Sequence, residues 1–91
     1  IGAVGNDSYG KTVLDSIKDF NIDKTHIRTE NGDTASNRTY LTPDGDRYYK
    51  DDSWNGGVFS SFALSASDRE LLHSSDMVHT TEFQRCNRLL P

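Results

Sequence analysis

The residues most suggestive of chemistry lie near the start of the chain, in the run GNDSYGKT at positions 5–12. This run fits G-x-x-x-x-G-K-[ST], the pattern of a P-loop, and it follows the short apolar run IGAV. In a P-loop, backbone N–H groups close around the phosphates of a nucleotide and the lysine reaches the terminal ones. One interpretation is therefore a small nucleotide-binding protein that uses Gly5–Thr12, with Lys11 as the phosphate-binding lysine.

The side chains between the two glycines favour a different interpretation. Asp7 would bring a carboxylate against a phosphate, with unfavourable like-charge electrostatics. No glycine lies between Gly5 and Gly10 to give the loop backbone freedom. No apolar strand that ends in a magnesium-binding aspartate is visible downstream. We therefore expect a strand–turn–helix junction in which Gly5 makes the turn, Asp7 caps the helix and Gly10 allows close packing.

The remaining residues with reactive or metal-binding side chains form no recognisable site. His26, His73 and His79 do not pair with Cys86 at the spacing of metal ligands, which argues against structural zinc. A single cysteine excludes an internal disulfide framework and fits a reducing compartment, so we expect the cytoplasm. The net charge of −4 argues against a nucleic-acid partner, and no apolar run approaches membrane-spanning length.

The elements around the junction read as an α/β chain. The predicted segments are a strand and helix (1–22), three flap strands (25–29, 34–42 and 46–50), a loop (52–64), a helix and strand (64–83) and an irregular tail (84–91). This order is typical of a βαβ-type unit with an antiparallel flap inserted. Leu, Ile, Val and Phe number only 19 of 91 residues, so we expect a thin core. The chain begins at Ile1, inside an apolar run, and we expect an upstream part.

Three local signals define the boundaries of these elements. Asn31–Gly32 is a strong turn signal, and Pro43–Asp46 contains another that joins two flap strands as a hairpin. Ser65 and Asp68 have the spacing of a capping box at the start of the second helix.

The flap strands are unusually polar on both faces. Alternation along residues 34–42 places Asn37 and Thr39 on one face, and Arg38 and Tyr40 on the other. A strand with this pattern is poorly suited to a core. It suits a sheet with one side open to water or to a polar ligand.

Four stretches, in order, resemble the ribokinase-like (PfkB) family of carbohydrate kinases. GAVGNDSYG resembles the signature G-x-V-G-x-D-x-x-G, and FNIDKTHI resembles the segment G-V-D-x-x-x-V, with Asn21 where glycine is usual. DTASNRTYLTPDGDRYYK resembles the family segment that begins with T-G and ends with G-x-R, with Ala35 replacing the glycine of T-G. LSASDRELLHSSDMVHTTE resembles the helix and strand that follow this segment in the family. Almost all of residues 1–83 are covered. Within the family, SSFALSASD and DMVH are similar to the fructosamine kinases.

The resemblance implies a three-layer α/β fold with a small β-sheet lid over a sugar site. It implies phosphorylation of a sugar hydroxyl by ATP with magnesium. Asn37 and Thr39 match lid positions that face the sugar, and Glu82 matches a strand-end acidic residue that contacts it. Lys50 lies where kinases of acidic sugars carry a basic residue. We also expect a homodimer through the lid strands.

Two motifs of the family are not in these 91 residues. They are the G-G-x-x-x-N sugar motif and the G-A-G-D motif, whose aspartate is the catalytic base. The run QRCNRLLP at positions 84–91 also departs from the family pattern. We therefore expect a sugar-kinase fragment that alone neither catalyses nor binds ATP and magnesium. Besides the sugar-kinase fragment and the P-loop nucleotide-binding protein, a third alternative is a non-catalytic interaction module. In such a module the flap strands would add to the edge of a partner's sheet.

Overall fold

The computed structural model describes residues 1–80, which form a βαβ unit, a polar flap and a second helix. The elements are β1 (Gly2–Gly5), α1 (Ser8–Ile17), β2 (Ile27–Glu30), β3 (Ser36–Asn37), β4 (Tyr40–Leu41), β5 (Arg47–Tyr48), β6 (Trp54–Asn55), a 3-10 helix (Gly57–Ser61) and α2 (Ala66–Ser74). The prediction of mixed α and β elements agrees with this order. The three-layer arrangement implied by the resemblance stays a prediction.

The βαβ unit consists of β1, α1 and β2. The two strands pair in parallel, with Gly2 opposite Ile27 and Gly5 opposite Glu30. Parallel strands need a crossover connection, which α1 provides. The prediction that residues 25–29 belong to the flap was wrong, because β2 pairs with β1. The Asn31–Gly32 turn therefore ends a strand of the βαβ unit instead of joining two flap strands.

The flap, residues 34–55, contains two small antiparallel pairs. β3 pairs with β6, and β4 pairs with β5. The turn between β4 and β5 is the one signalled by Pro43–Asp46. Its backbone is held by hydrogen bonds from the Gly45 N–H to the Thr42 carbonyl (2.9 Å) and from the Thr42 N–H to the Asp46 carbonyl (2.7 Å). Gly45 has φ +90°, a conformation that favours glycine.

The flap differs from its prediction in two places. The predicted strand 34–42 is split into β3 and β4, which pair with different strands, β3 with β6 and β4 with β5. The hydrogen bond from the Arg38 N–H to the Ser53 carbonyl (2.7 Å) continues the β3–β6 pairing by one residue. The predicted loop 52–64 contains β6 and the 3-10 helix. A two-residue strand beside Gly56 and Gly57 is too short to show an alternating pattern, so the sequence gives no signal for it.

The last part of the described chain is α2 and the residues after it. Ser65 caps α2 with the predicted capping box: the Asp68 N–H donates to Ser65 Oγ (3.0 Å), and the Ser65 N–H donates to Asp68 Oδ2 (2.9 Å). The sequence predicts a last strand at 76–83, but residues 76–80 do not adopt strand structure. Positions 81–83 and the tail lie outside the described residues.

The core is small, as the composition predicts. Within residues 1–80, the buried apolar side chains are Val4, Val58 and Phe62, contributed by β1, the 3-10 helix and the residue that follows it. Gly57 permits the close approach of the 3-10 helix, because a Cβ at this position would lie 2.2 Å from the Asp33 carbonyl oxygen. In the same range, no helix has both the length and the apolar character needed to cross a membrane.

Candidate functional site

The turn after β1 is organised by the carboxylate of Asp7. Asp7 Oδ1 accepts a hydrogen bond from the Gly10 N–H (2.9 Å), which confirms the predicted cap of α1. Asp7 Oδ2 accepts from the Thr34 N–H (2.9 Å), and the buried Thr34 hydroxyl donates to Oδ1 (2.5 Å) while it accepts from the Gly5 N–H (2.9 Å). The Thr34 hydroxyl, followed by the N–H groups of Thr34 and Gly10, lowers the pKa of the Asp7 carboxyl. Asp7 therefore joins β1, α1 and the start of the flap.

The same contacts show that Gly5–Thr12 does not fit the phosphates of a nucleotide. The Gly10 N–H that would face a phosphate already binds a carboxylate, whose charge would repel the anion. Lys11 is exposed and forms an ion pair with Asp15 one helical turn away. A Cβ at Gly10 would lie 2.1 Å from the Gly5 carbonyl oxygen, so this glycine serves the packing of α1 on β1. The geometry supports the helix-cap interpretation of the P-loop pattern.

The turns after β1 and β2 lie side by side at the carboxyl edge of the two strands. The Asn6 side chain donates to Asn31 Oδ1 (2.9 Å) and accepts from the Gly32 N–H (3.1 Å). Asn55 of β6 donates to Asp33 Oδ2 (3.4 Å) and so connects the flap to the same edge. Ligands of open α/β sheets bind outside the carboxyl ends of the strands. The flap therefore leaves the βαβ unit at the edge where a ligand is expected.

The described residues that the sequence analysis assigned to a substrate all lie on the flap and are exposed. Asn37 is in β3, opposite Trp54, and Thr39 lies between β3 and β4. Lys50 follows β5, and its Nζ lies 4.2 Å from the centroid of the Tyr40 ring. The fourth assigned residue, Glu82, lies outside the described residues. The structure thus places three of the four on one small element whose polar groups reach solvent.

Tyr40 is a flap residue that was not predicted to contact a ligand but lies beside one that was, Lys50. Its ring stacks on Tyr48 of the paired strand, with 5.4 Å between the centroids. A hydrogen bond from Arg38 to the Tyr40 side chain raises the pKa of the guanidinium. The Tyr40 ring thus contacts both the Tyr48 ring and the Lys50 ammonium group. A cross-strand Tyr40–Tyr48 pair in the predicted hairpin was the signal that would have identified it.

A second polar cluster joins β2 to α2 and is structural. Asp68 is 2% exposed, with His26 Nδ1 2.8 Å from Oδ1 and Arg28 Nη1 3.1 Å from Oδ2. Arg28 also lies over the Phe62 ring (4.5 Å) and donates to the Ala63 carbonyl (2.7 Å). Burial raises the pKa of the Asp68 carboxyl, but hydrogen bonds from His26 and Ser65 and the charge of Arg28 outweigh it and lower the pKa to about 2. Asp68 is therefore held ionised as an anchor for α2.

An apolar groove of about 310 Å³ lies between the 3-10 helix and α2. Its lining includes Phe59, Phe62, Leu71, Leu72, Met77 and Val78, and it includes none of the flap residues described above. Within residues 1–80, no three His, Cys, Asp or Glu side chains come together as metal ligands. The polar flap at the carboxyl edge is therefore the best candidate for a ligand site in the described chain.

Comparison with known proteins relates the chain to sugar kinases. Fructoselysine 6-kinase of Escherichia coli (strain K12) is 36% identical over 76 residues, which cover 84% of this chain and 28% of that protein. Fructoselysine 6-kinase of Shigella flexneri matches with the same identity and coverage. The chain thus spans less than a third of the length of the curated relatives it matches. No family model matches, and no solved structure matches.

Proposed function

We propose that this chain is the acceptor-binding part of an ATP-dependent sugar kinase of the ribokinase-like family. The observation that carries the proposal is the 36% identity with fructoselysine 6-kinases over 76 residues. The parallel βαβ unit supports it, because its carboxyl edge leads directly into a polar flap. The protein that contains this chain would transfer a phosphoryl group from ATP to a hydroxyl of a sugar or sugar derivative.

The flap supplies groups that suit recognition of a sugar. The Asn37 amide both donates and accepts hydrogen bonds, as does the Thr39 hydroxyl, and sugar hydroxyls need both. Lys50 adds a cation, and Tyr40 adds an aromatic ring beside it. We propose that these groups bind the acceptor and that closure of the flap excludes water from the reacting phosphate. Glu82, in this proposal, contacts the acceptor from the main domain.

The name of the relatives suggests which acceptor to test first. Fructoselysine is a sugar joined to an amino acid, and the relatives are named as its 6-kinases. We propose a glycated amine of this class as the acceptor. Lys50, over the Tyr40 ring, and Arg38, two residues before Tyr40, would then supply cations for the carboxylate of such a molecule.

The nucleotide is bound, in this proposal, by parts of the protein other than positions 5–12. ATP with magnesium supplies the transferred phosphoryl group when bound, but the Asp7 carboxylate occupies the donor that a phosphate would need here. The 91 residues alone are accordingly inactive. We further propose a cytoplasmic protein that forms a homodimer through the flap strands, since the pairs β3–β6 and β4–β5 have only each other as partners within residues 1–80.

The proposal is tested by measuring ADP release and product mass with ATP, magnesium and a panel of acceptors. The panel holds fructoselysine, hexoses and pentoses, and the proteins are the 91-residue chain and the longer protein that contains it. We expect the longer protein to phosphorylate an acceptor on its sugar and the 91-residue chain to phosphorylate none. Turnover by the 91 residues, or no turnover of any acceptor by the longer protein, would overturn the proposal.

A further inference from the structure

The Asn31–Gly32 turn has a reactivity that the proposed function does not use. We propose that Asn31 is a site of spontaneous deamidation, and that the side chain of Asn6 controls the rate by holding both reacting groups in an unreactive arrangement. The inference rests on the contacts of the turn and not on the proposed kinase activity.

The reaction is intramolecular and needs only water. The backbone nitrogen of Gly32 attacks Cγ of Asn31, so an N–Cγ bond forms and the Cγ–Nδ2 bond breaks. The proton of the Gly32 N–H goes to solvent, and the side-chain amide leaves as ammonia after taking up a proton. Water then opens the resulting succinimide at either carbonyl, which gives aspartate or isoaspartate. One water is consumed, one ammonia is released, and nothing is oxidised or reduced.

The residue types and the backbone at this position favour that reaction. Asn31 and Gly32 are exposed, and glycine has no Cβ to hinder the approach of its nitrogen to the neighbouring side chain. Asparagine is among the residues that are chemically labile in proteins. Asn31 therefore combines an exposed amide with an unhindered nucleophile.

The contacts of Asn6 oppose the reaction at both of its ends. Asn6 Oδ1 accepts from the Gly32 N–H (3.1 Å), and a hydrogen bond to the neutral N–H disfavours its deprotonation. Asn6 Nδ2 donates to Asn31 Oδ1 (2.9 Å), which restrains the Asn31 side chain and so limits the rotation that ring closure requires. One side-chain amide thus restrains both nucleophile and electrophile.

The chain contains a second Asn-Gly pair that serves as an internal control. Asn55 is also exposed, but its Oδ1 accepts from the Gly57 N–H (2.9 Å) and its Nδ2 donates to Asp33 (3.4 Å). Asn6 makes neither of these contacts. Removing the Asn6 amide should therefore change the rate at Asn31 and leave the rate at Asn55 unchanged.

Deamidation at Asn31 would alter the edge where the flap begins. A new carboxylate would stand between Glu30 and Asp33, and isoaspartate would lengthen the main chain by one carbon. The same turn leads to Thr34, whose N–H and hydroxyl hold Asp7. The modification would therefore act on the junction of β1, α1 and the flap.

The test compares deamidation of the full chain in the wild type, Asn6→Ala, Asn6→Asp and the control Asn21→Ala. Samples are incubated at mildly alkaline pH, and peptide mass spectrometry measures conversion at Asn31 and Asn55. A wild-type sample unfolded in urea gives the unrestrained rates, and circular dichroism verifies that each variant is folded. Asn6→Asp keeps the acceptor for the Gly32 N–H and loses the donor to Asn31, so it separates the two contacts.

We expect Asn6→Ala to deamidate faster than the wild type at Asn31 alone, Asn6→Asp to lie between them, and Asn21→Ala to match the wild type. We also expect folded wild-type Asn31 to react more slowly than unfolded Asn31. If Asn6→Ala leaves the Asn31 rate unchanged or lowers it, the proposal is wrong. It is equally wrong if the rates at Asn31 and Asn55 rise together in Asn6→Ala, because that would show a general destabilisation of the fold. If Asn6→Ala does not fold, the wild type decides: equal Asn31 rates in the folded and the unfolded wild type would also overturn the proposal.

Discussion

At the scale of single residues, two carboxylates hold the described chain together, and they do so in different ways. Asp7 is partly exposed and is held by N–H and hydroxyl donors, whereas Asp68 is buried and has two cationic or potentially cationic neighbours. A buried carboxylate is tolerated when charged and hydrogen-bonded partners compensate for its desolvation. The two residues therefore make separate predictions.

Asp68 predicts a dependence of stability on pH. Its pKa is about 2 in the folded chain, below its ordinary value of 3.8. Because the pKa is lower in the folded chain, the ionised carboxylate stabilises the fold at pH values above the pKa of the unfolded chain. The stabilisation is therefore fully present above about pH 5 and is lost as the pH falls toward 2. The difference corresponds to about 2 kcal/mol. Urea unfolding between pH 7 and pH 2 measures it.

The matched variants are Asp68→Asn and the exposed Asp51→Asn. We expect Asp68→Asn to be less stable at neutral pH and to lose most of the acid dependence, and Asp51→Asn to behave as the wild type. If Asp68→Asn loses as much stability between pH 5 and pH 2 as the wild type does, other carboxyl groups account for the pH dependence.

Thr34→Val tests the hydroxyl at the centre of the Asp7 junction. The substitution keeps the shape of the side chain, but it leaves the buried Gly5 N–H without its acceptor and removes a donor to Asp7. An unpaired buried donor costs about 1–3 kcal/mol. The exposed Thr29→Val in β2 is the control, and chemical denaturation compares the two. Equal stability of both variants would contradict the assigned role of Thr34.

At the scale of elements, the position of α1 depends on the close approach of Gly10 to β1. A Cβ at Gly10 would meet the Gly5 carbonyl oxygen at 2.1 Å, whereas a Cβ at Gly2 would meet nothing within 4 Å. We therefore expect Gly10→Ala to lower the melting temperature and Gly2→Ala to change it little, although alanine favours helix at position 10. A more stable Gly10→Ala would mean that α1 packs differently.

Local signals predicted the elements that depend on local contacts. The cap at Asp7 and the capping box at Ser65 involve donors three positions away, and the turn at Pro43–Asp46 is closed by bonds to the adjacent Thr42. Pairings between distant residues could not be predicted in this way. The contacts of Asp68 with His26 and Arg28 span 42 and 40 positions, and β2 pairs with β1 across all of α1.

The candidate site shows the same division. Exposed polar residues on the flap followed from alternation and from the resemblance, since Asn37 and Thr39 need only an open strand. Tyr40 was not among the predicted ligand residues, because the contacts that distinguish it are with Tyr48 and Lys50, which the hairpin brings to it from across the turn. The exposed positions along one strand could be predicted from alternation. The cluster of Tyr40, Tyr48 and Lys50 could not, because it forms only when two strands pair.

At the scale of the whole molecule, the P-loop pattern and the kinase relationship make opposite predictions for Lys11. If the pattern bound nucleotide, Lys11→Ala would abolish ATP-dependent turnover by the proposed kinase that contains this chain. Because Lys11 pairs with Asp15 on an exposed face, we expect turnover and the KM for ATP to stay unchanged. Steady-state kinetics with varied ATP measure both, and a large loss would restore the P-loop interpretation.

The central claim is that the flap binds the sugar acceptor of a kinase, and the KM for the acceptor tests it most directly. The measurement compares the longer protein with its Asn37→Ala and Thr39→Ala variants, with Thr29→Ala as the control, at saturating ATP. Loss of a hydrogen bond of about 1 kcal/mol would raise the acceptor KM roughly fivefold. We expect the two flap variants to raise the acceptor KM and, when ATP is varied at saturating acceptor, to leave the KM for ATP unchanged. An unchanged acceptor KM in both variants would contradict the claim.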